Sequence, residues 1–293
     1  SLVLMPTGGG KSLCYQIPAL IFDGGTLVIS PLIALMQDQV DALRRRNIPA
    51  TFINSTVNAE ERESRLRGFL KGDYKLLYVT PERFRRTEFT QAITRANIAL
   101  LAVDEAHCVS EWGHDFRPDY SRLGEFRAML GNPLTVALTA TATPEVQRDI
   151  IEKLGLRAED IQTFHQGIER PNLRLEVEEL DRDHEKFGAM METIQRFGSG
   201  IGIIYFSLIQ TLEKFSQMLA DKRIRHGVYH GKMGAQGRRA IQREFLSGRT
   251  PLMLATNAFG MGIDKADIRF VVHAEVPSSV EAYYQEIGRA GRD

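Results

Sequence analysis

Apolar and polar positions along the chain follow two periodicities, which predict strands and helices in alternation. Continuous apolar runs predict strands buried on both faces, and the amphipathic stretches between them predict helices. The predicted strands are residues 2–4, 26–29, 75–79, 98–103, 134–138, 201–206, 252–255 and 270–273. The predicted helices are residues 32–46, 59–70, 144–154, 210–219, 236–246 and 279–287. This alternation predicts an α/β chain with mostly parallel sheets flanked by helices.

A polar stretch at residues 165–172 interrupts the alternation, which starts afresh after it. We therefore expect two domains, residues 1–168 and residues 169–293. The chain starts in mid-strand and stops without a tail, so we expect both ends to be cut. No apolar run reaches the roughly 18 residues of a membrane span. Cys14 and Cys108 are too few for an all-cysteine zinc site and favour two free thiols in a reducing cytoplasm.

The charge balance is neutral, with 37 Lys and Arg against 37 Asp and Glu. A protein that binds nucleic acid by bulk charge is expected to be basic. Composition alone therefore argues mildly against a nucleic-acid partner.

A glycine-rich segment after the first predicted strand has the pattern of a phosphate-binding loop. Met5 stands where that pattern has its first glycine. The glycines allow backbone N–H groups to face phosphate oxygens, and Lys11 and Ser12 are suited to the outer phosphates and to Mg²⁺. The candidate ATP-binding residues of this segment are Thr7, Gly8, Gly9, Gly10, Lys11 and Ser12.

Two adjacent carboxylates, Asp104 and Glu105, directly follow a predicted buried strand. Ligands bind at the carboxyl ends of parallel strands, so we expect Asp104 to hold Mg²⁺, together with Ser12, and Glu105 to polarise the attacking water. His107 and Cys108 lack further ligands for a metal cluster, and we expect His107 to form a hydrogen bond across the domain interface.

The phosphate loop and the Asp-Glu-Ala-His motif at residues 104–107 together resemble the superfamily 2 helicases. Residues 110–120, rich in aromatic side chains, residues 255–265 and residues 284–293 resemble segments of the RecQ DNA helicases in particular. The resemblance extends over essentially the whole chain. It implies two tandem RecA-like domains and 3′→5′ unwinding of DNA driven by ATP and Mg²⁺ in recombination and repair. The family's adenine-reading motif and its zinc-binding and winged-helix module are expected outside this chain, which therefore holds no zinc.

The resemblance also implies roles for residues of the second domain. Arg289 and Arg292 are expected to reach the nucleotide as arginine fingers from one face of a helix end, and Gln285 is expected to sense the γ-phosphate. Gly262 and Asp264 are further candidates for contacting ATP.

The resemblance places DNA on hydroxyl, amide and aromatic groups rather than on lysine runs. Such groups hold phosphates or stack on bases without a large net charge. The candidates for DNA binding and coupling are Pro31, Gln37, Thr80, Arg83, Trp112, His114, Phe116, Arg117, Thr139, Thr141, Phe206, Thr256 and Asn257. For Thr139 and Thr141, the preference of threonine for strands and helix caps is a structural alternative.

These observations favour a monomeric RecQ-type helicase core that acts on single-stranded DNA and single/double-strand junctions. We expect it in the cytoplasm or nucleoid of a bacterium, or in a eukaryotic nucleus, with no membrane partner. A superfamily 2 RNA helicase and a truncated nucleic-acid-binding module without turnover are the alternatives.

Overall fold

The computed structural model describes residues 1–111, 116–165, 167, 169–260 and 265–292. The chain divides into two compact units, residues 1–168 and residues 169–293. Each unit has its own sheet and its own apolar cores. Among the described helices, none combines the length and apolar character that a membrane span needs.

The first unit is built on a seven-stranded sheet. Its strands are β1 (Leu2–Leu4), β2 (Gly25–Ile29), β3 (Ala50–Ile53), β4 (Leu76–Val79), β5 (Ile98–Val103), β6 (Leu134–Thr139) and β7 (Thr163–His165). They lie in the order β3-β4-β2-β5-β6-β1-β7, and every neighbouring pair is parallel. The segments that follow these strands therefore meet at one edge of the sheet.

Helices connect these strands. They are α1 (Leu13–Ile21), α2 (Ile33–Arg45), α3 (Ala59–Lys71), α4 (Thr87–Ile93), α5 (Leu123–Met129) and α6 (Pro144–Lys153). Short 3₁₀ helices span Pro81–Arg85, Ala106–Val109, Tyr120–Arg122 and Ala158–Asp160. Asn58 and Thr143 cap α3 and α6 with side-chain oxygens that accept bonds from backbone N–H groups, which satisfies donors that the helix itself leaves unpaired.

Successive strand residues belong to two different apolar cores, one on each face of the sheet. In β2, Leu27 and Ile29 belong to one core and Val28 to the other. This double burial is the reason that the strands are continuous apolar runs rather than alternating ones.

The second unit has a four-stranded parallel sheet in the order β11-β8-β10-β9. Its strands are β8 (Ile201–Tyr205), β9 (Gly227–Tyr229), β10 (Leu252–Ala255) and β11 (Ile268–His273). Its helices are α7 (Asp183–Phe197), α8 (Ile209–Asp221), α9 (Ala235–Leu246) and α10 (Val280–Ile287). Both faces of this sheet are also covered by apolar side chains.

The predicted α/β class with mostly parallel sheets is confirmed. Three strands, β3, β7 and β9, have no counterpart in the hydrophobic pattern. All three residues of β7 are exposed, and β9 has three residues and begins with a glycine. β3 is buried, but Thr51 interrupts its apolar residues. None of the three strands therefore contains a continuous apolar run, so periodicity does not reveal them.

Candidate functional site

The phosphate loop, residues 5–12, connects the end of β1 to the start of α1. Gly8 and Gly10 have φ angles of +85° and +83°, a region that residues with a Cβ rarely adopt. A Cβ on Gly9 would lie 3.0 Å from the carbonyl oxygen of Pro6. The loop therefore needs all three glycines, two for their backbone angles and one for space.

Lys11 folds back over this loop. Its ammonium group donates hydrogen bonds to the carbonyl oxygens of Met5, at 3.2 Å, and of Pro6, at 3.4 Å. Ser12 stands at the N-cap position of α1, yet its side chain forms no capping bond. The Ser12 hydroxyl is thus available to a ligand at the positive end of the helix.

The carboxylate pair, Asp104 and Glu105, directly follows β5. β6 alone separates β5 from β1, so the carboxylate pair and the phosphate loop start about 10 Å apart along the same edge. The Asp104 N–H donates to the Ile29 carbonyl at 2.8 Å, which extends the pairing with β2 by one residue. The sheet order therefore brings both predicted motifs to one site.

Electrostatics within this site favour a protonated or cation-bound Asp104. Burial and the neighbouring charge of Glu105 raise the pKa of the Asp104 carboxyl well above its ordinary value. Lys11 and a hydrogen bond from the Glu105 N–H act in the opposite direction. A bound cation would add to that opposing effect and keep Asp104 ionised.

Glu105 has a left-handed backbone with φ of +48°, which is uncommon for a residue with a side chain. This conformation turns the chain sharply from β5 into the 3₁₀ helix at Ala106–Val109. One carboxylate oxygen, Oε2, is buried without a hydrogen-bond partner among the described residues. Strained backbone and unsatisfied buried oxygens are typical of functional sites.

His107 connects the carboxylate pair to the segment after β6. Its ring is buried, and Nδ1 lies 3.0 Å from the Thr139 hydroxyl and 3.4 Å from Oε2 of Glu105. The Thr139 hydroxyl also donates to the carbonyl of Thr141 at 3.0 Å. All of these contacts lie within the first unit, and the interdomain role of His107 stays a prediction.

The aromatic-rich loop, residues 110–120, is anchored at its first end. The Ser110 hydroxyl donates to the Asp149 carboxylate on α6 at 2.5 Å. The Arg117 guanidinium donates to the Pro31 carbonyl at 3.2 Å. Phe116 and Arg117 are partly exposed. The predicted DNA-binding residues Trp112 and His114 lie outside the described residues.

The second end of this loop is tied directly to the carboxylate pair. The buried Tyr120 hydroxyl donates to the Asp104 carbonyl at 3.1 Å. Next to it, the Arg85 guanidinium binds Asp119 in a two-point contact, and its Nη2 atom lies 2.9 Å from Oδ2. The second end of the loop is therefore joined to the backbone of Asp104 by a hydrogen bond.

The other predicted DNA-binding residues of the first unit differ in accessibility. Gln37 is exposed on α2, and Arg83 is partly exposed and donates to the Asn54 carbonyl at 3.2 Å. The side chains of Pro31, Thr80 and Thr139 are buried. Thr141 is partly exposed. The hydroxyl of Thr139 is bonded inside the protein, which matches the structural alternative for this residue.

In the second unit, the structure corrects the expectation that the side chain of Phe206 contacts DNA. Its ring is 3% exposed and packs in an apolar core, with its centroid 5.4 Å from that of Phe215. The side chain is therefore unavailable for stacking on a base. Asn257 is exposed after β10, whereas Thr256 is largely buried. The predicted ATP contacts Gly262 and Asp264 lie outside the described residues.

The arginine turn, residues 288–292, follows α10 but does not continue it as a helix. α10 ends at Ile287, and Gly291 has a φ of +61°. The expectation that Arg289 and Arg292 share one helical face is therefore wrong. Arg289 is 4% exposed, whereas Arg292 is partly exposed, and Gln285 lies partly exposed on α10.

Arg289 belongs to a buried polar network. Burial raises the pKa of Tyr205 to about 12, and the positive charge of Arg289 opposes this shift. The Tyr205 hydroxyl donates to the Phe259 carbonyl at 2.8 Å, and its ring stacks on His273. Glu286 on α10 lies 2.8 Å from His273. Arg289 Nε is buried with no hydrogen-bond partner among the described residues, so it is a donor that an anion can satisfy.

Sequence reasoning missed the residues that support these sites. Tyr120, Asp149 and Arg85 are far in sequence from the groups that they hold, and their residue types are common at surfaces and in cores. Only tertiary contacts identify them. The part of the chain that the structure describes holds no cluster of three or more His, Cys, Asp or Glu side chains suited to a metal.

Comparisons with known proteins agree with this geometry. Residues 1–150 match the DEAD/DEAH box helicase family, and residues 185–293 match the helicase conserved C-terminal domain. The ATP-dependent DNA helicase RecQ of Bacillus subtilis is 47% identical over 291 residues, which cover 99% of this chain and 48% of the relative. The protein of the same name from Haemophilus influenzae is 43% identical over 293 residues, covering 100% of this chain and 46% of the relative. The chain thus spans about half the length of the curated relatives it matches.

Solved structures show the same fold. Saccharomyces cerevisiae Dbp5 bound to RNA and ADP BeF3 superposes with a TM-score of 0.73 at 16% identity, over 99% of this chain and 75% of that one. At this identity the likeness shows the fold alone, which is that of two RecA-like helicase domains. With both family models matched, the chain belongs to the DEAD/DEAH box helicase family, and the DNA helicases named RecQ are among its relatives.

Proposed function

We propose that this chain is the ATP-hydrolysing core of a RecQ-type DNA helicase, which couples Mg²⁺-dependent ATP hydrolysis to 3′→5′ unwinding in recombination and repair. The observation that carries the proposal is the hydrogen bond from Tyr120, at the end of the aromatic-rich loop, to the Asp104 carbonyl. It gives a DNA-contacting loop a direct mechanical connection to the hydrolytic carboxylates. The names of the relatives support the same activity.

The phosphate loop binds the nucleotide in this proposal. Backbone N–H groups of Gly8 and Gly10 and the positive end of α1 face the phosphates, while Lys11 exchanges its two carbonyl partners for phosphate oxygens. Because those bonds are long and their carbonyl acceptors are uncharged, negatively charged phosphate oxygens compete with them readily.

The residues present also fit Mg²⁺. Ser12 offers a hydroxyl without an internal partner, and Asp104 offers a carboxylate whose raised pKa a cation would offset. Oxygen donors of this kind are what Mg²⁺ prefers. When bound, the ion supplies positive charge to the outer phosphates.

Glu105 acts as the group that orients and deprotonates the attacking water. Its Oε2 has no hydrogen bond among the described residues and can accept a water proton, and His107 Nδ1 lies 3.4 Å from the same oxygen. Thr139 completes this chain of contacts, so Thr139 and Thr141 act as positioning residues.

We assign the two units to the two domains, residues 1–168 and 169–293, and hydrolysis depends on both. Arg292 and Arg289 stabilise the charge that develops on the transferred phosphoryl group, and Gln285 contributes to sensing it. The unpaired buried Nε of Arg289 supports a role in binding an anion.

Single-stranded DNA and single/double-strand junctions are the proposed partners, and a monomer in the cytoplasm, nucleoid or nucleus is the proposed working form. Exposed candidates such as Gln37, Phe116, Arg117 and Asn257 make the contacts. Phosphate contacts of this type carry no sequence information, as a translocating enzyme requires.

Steady-state ATP turnover tests the proposal, measured without nucleic acid, with oligothymidylate and with oligouridylate. We expect DNA to raise the rate more than RNA does, and Lys11→Ala to reduce both rates to background. The exposed Lys71→Ala variant is the matched control and should behave as the parent does. A rate that neither DNA nor Lys11→Ala changes would contradict the enzymatic proposal, and stronger stimulation by RNA would favour an RNA helicase.

A further inference from the structure

Three arginines of the first unit lie close together. Arg62 is on α3, Arg83 is in the 3₁₀ helix at Pro81–Arg85, and Arg86 follows that helix. Among the described residues, no carboxylate forms an ion pair with any of the three. These three residues are named the arginine cluster below.

The parallel pairing of β3 with β4 brings the segments that carry these arginines together. Ile53 and Val79, the last residues of the two strands, are register partners. The chain leaves β3 at Asn54, whose carbonyl accepts a 3.2 Å bond from Arg83. A few residues later Asn58 caps α3, so Arg62 lies one turn into that helix, and its N–H bonds to the Asn58 carbonyl at 3.0 Å.

The positive charges of Arg62 and Arg86 act on the guanidinium group of Arg83. Burial, followed by the positive charges of Arg62 and Arg86, lowers the pKa of Arg83, and only Glu82 acts in the opposite direction. Arg62 is also near the positive end of α3, where a cation destabilises the helix.

A neighbouring arginine shows what a structural role looks like on the same helix. Arg65 pairs with Glu61, donates to the Phe52 carbonyl at 2.7 Å and lies 4.3 Å above the centroid of the Phe52 ring. Each of its polar and apolar surfaces has a partner. The arginine cluster has no comparable set of contacts.

A second observation points to a ligand at the same place. The side chain of Asn54 is fully buried, and its Nδ2 donor has no hydrogen-bond partner among the described residues. Its Oδ1 is already used by the N–H and hydroxyl of Thr56. The turn that holds Arg83 thus keeps an unsatisfied polar atom, while the guanidinium groups, which are partly or fully exposed, offer donors that an anion in solution can reach.

We propose that Arg62, Arg83 and Arg86 together bind the phosphate backbone of single-stranded DNA and supply much of the ionic affinity of the first unit. The inference rests on the proposed function and deepens it, because the sequence motifs indicated Arg83 alone. A planar guanidinium binds phosphate through two parallel hydrogen bonds, and two or three of them can hold successive phosphates. The arginine cluster thus gives a chain with no net charge a local positively charged site that binds DNA.

The salt dependence of binding measures such contacts. Each phosphate neutralised on a single strand contributes about 0.7 to the slope of log affinity against log salt, which corresponds to about fivefold in Kd at 0.1 M salt. Arg62→Gln and Arg86→Gln should each weaken oligothymidylate binding about fivefold and lower the slope by about 0.7. The double variant should lose about 25-fold and about 1.4 in slope.

The experiment is a fluorescence-anisotropy titration of a labelled oligothymidylate from 0.05 to 0.3 M salt with the whole chain, alongside thermal unfolding. Arg67→Gln is the matched control, since Arg67 is an exposed arginine on the same helix that faces Glu63. Its affinity and slope should match those of the parent. The cluster variants should unfold at the parental temperature or higher, because removing one cation relieves repulsion.

Parental affinity and slope in both cluster variants would overturn the site while leaving the helicase proposal intact. A lowered unfolding temperature with an unchanged slope would also overturn it, because that result indicates a structural role. A loss that differs between oligothymidylate and oligoadenylate would show a base contact in place of a phosphate contact. Failure of the parent chain to bind DNA would contradict the proposed function, and the site with it.

Discussion

The candidate site of the first unit and the arginine turn of the second are built in different ways. In the first unit, Lys11, Ser12, Asp104 and Glu105 belong to two short segments whose positions follow from the ends of β1 and β5. In the second, Arg289 is buried and held near Tyr205, which stacks on the His273 that contacts Glu286. Strand topology is sufficient to place the first set, whereas the second depends on side chains from several elements.

The difference has a functional meaning. Groups of the phosphate loop are positioned by the backbone at the end of β1, so a change in a neighbouring side chain affects them little. Groups positioned by a buried polar network move when any member of it is altered, because unsatisfied polar atoms force rearrangement. We therefore expect the phosphate loop to set nucleotide binding, and the carboxylate pair and the arginine turn to set the rate.

Arg292→Ala should produce the largest effect. Removing an arginine finger costs roughly 10³–10⁵ in rate. ATP turnover should fall at least 10³-fold on this scale, whereas nucleotide binding, measured with a fluorescent analogue, should change little. Arg249→Ala, an exposed arginine whose guanidinium bonds to Ser247, is the control. Weakened nucleotide binding with normal turnover would contradict the role assigned to the arginine turn.

Glu105→Gln should come next, with a loss of roughly 10²–10⁴ in turnover, the usual contribution of a general base. Nucleotide affinity should be retained, because Lys11 and the phosphate loop are untouched. Glu125→Gln, at an exposed residue paired with Arg122, should leave turnover unchanged. Full activity of Glu105→Gln would show that another group is the general base.

Glu286→Gln tests the buried network. The change weakens the contact with His273 without altering size, and a misplacement of about 1 Å can cost up to ~10² in rate. We expect kcat to fall roughly 10-fold with KM for ATP unchanged, and the Glu286→Asp variant to recover part of the loss. A lower unfolding temperature together with a kcat equal to that of the parent would indicate that the network only stabilises the fold.

Tyr120→Phe should give the smallest effect. It removes one hydrogen bond to the Asp104 carbonyl, worth about 1 kcal/mol, or roughly fivefold. Stimulation by DNA should drop by that factor while basal turnover stays within twofold. Tyr74→Phe, whose hydroxyl bonds to none of the described residues, is the control. A matching drop in basal turnover would show that Tyr120 supports the carboxylates rather than the coupling.

Sequence reasoning was more accurate for the local motifs of the first unit than for Phe206 and the arginine turn of the second. The strands with continuous apolar runs, the phosphate loop and the carboxylate pair are local patterns, and the structure brings the two motifs to one edge. Phe206 shows the opposite case, since an aromatic residue after a strand is equally compatible with a core and a surface. The prediction for the arginine turn was wrong because it assumed helical spacing beyond Ile287. The helix ends at that residue, and Gly291 has a left-handed backbone.

The neutral charge balance is a further example. Composition counts charges over the whole chain, but binding depends on where they collect. The arginine cluster concentrates three cations that the total conceals, and Arg62 and Arg86 carry no motif that marks them. The pairing of β3 with β4 brings the segments that carry them together. The hydrophobic pattern does not predict β3.

The central claim is that DNA on the aromatic-rich loop controls hydrolysis at the carboxylate pair. The most direct test is the ratio of DNA-stimulated to basal ATP turnover in Phe116→Ala, with Phe164→Ala as the control because Phe164 is an aromatic residue of the same unit that is 50% exposed. The account predicts that the ratio falls to about one while basal turnover stays close to that of the parent, since a stacked base is worth about 1–3 kcal/mol. Equal loss of basal and stimulated turnover, or a ratio unchanged from the parent, would contradict it.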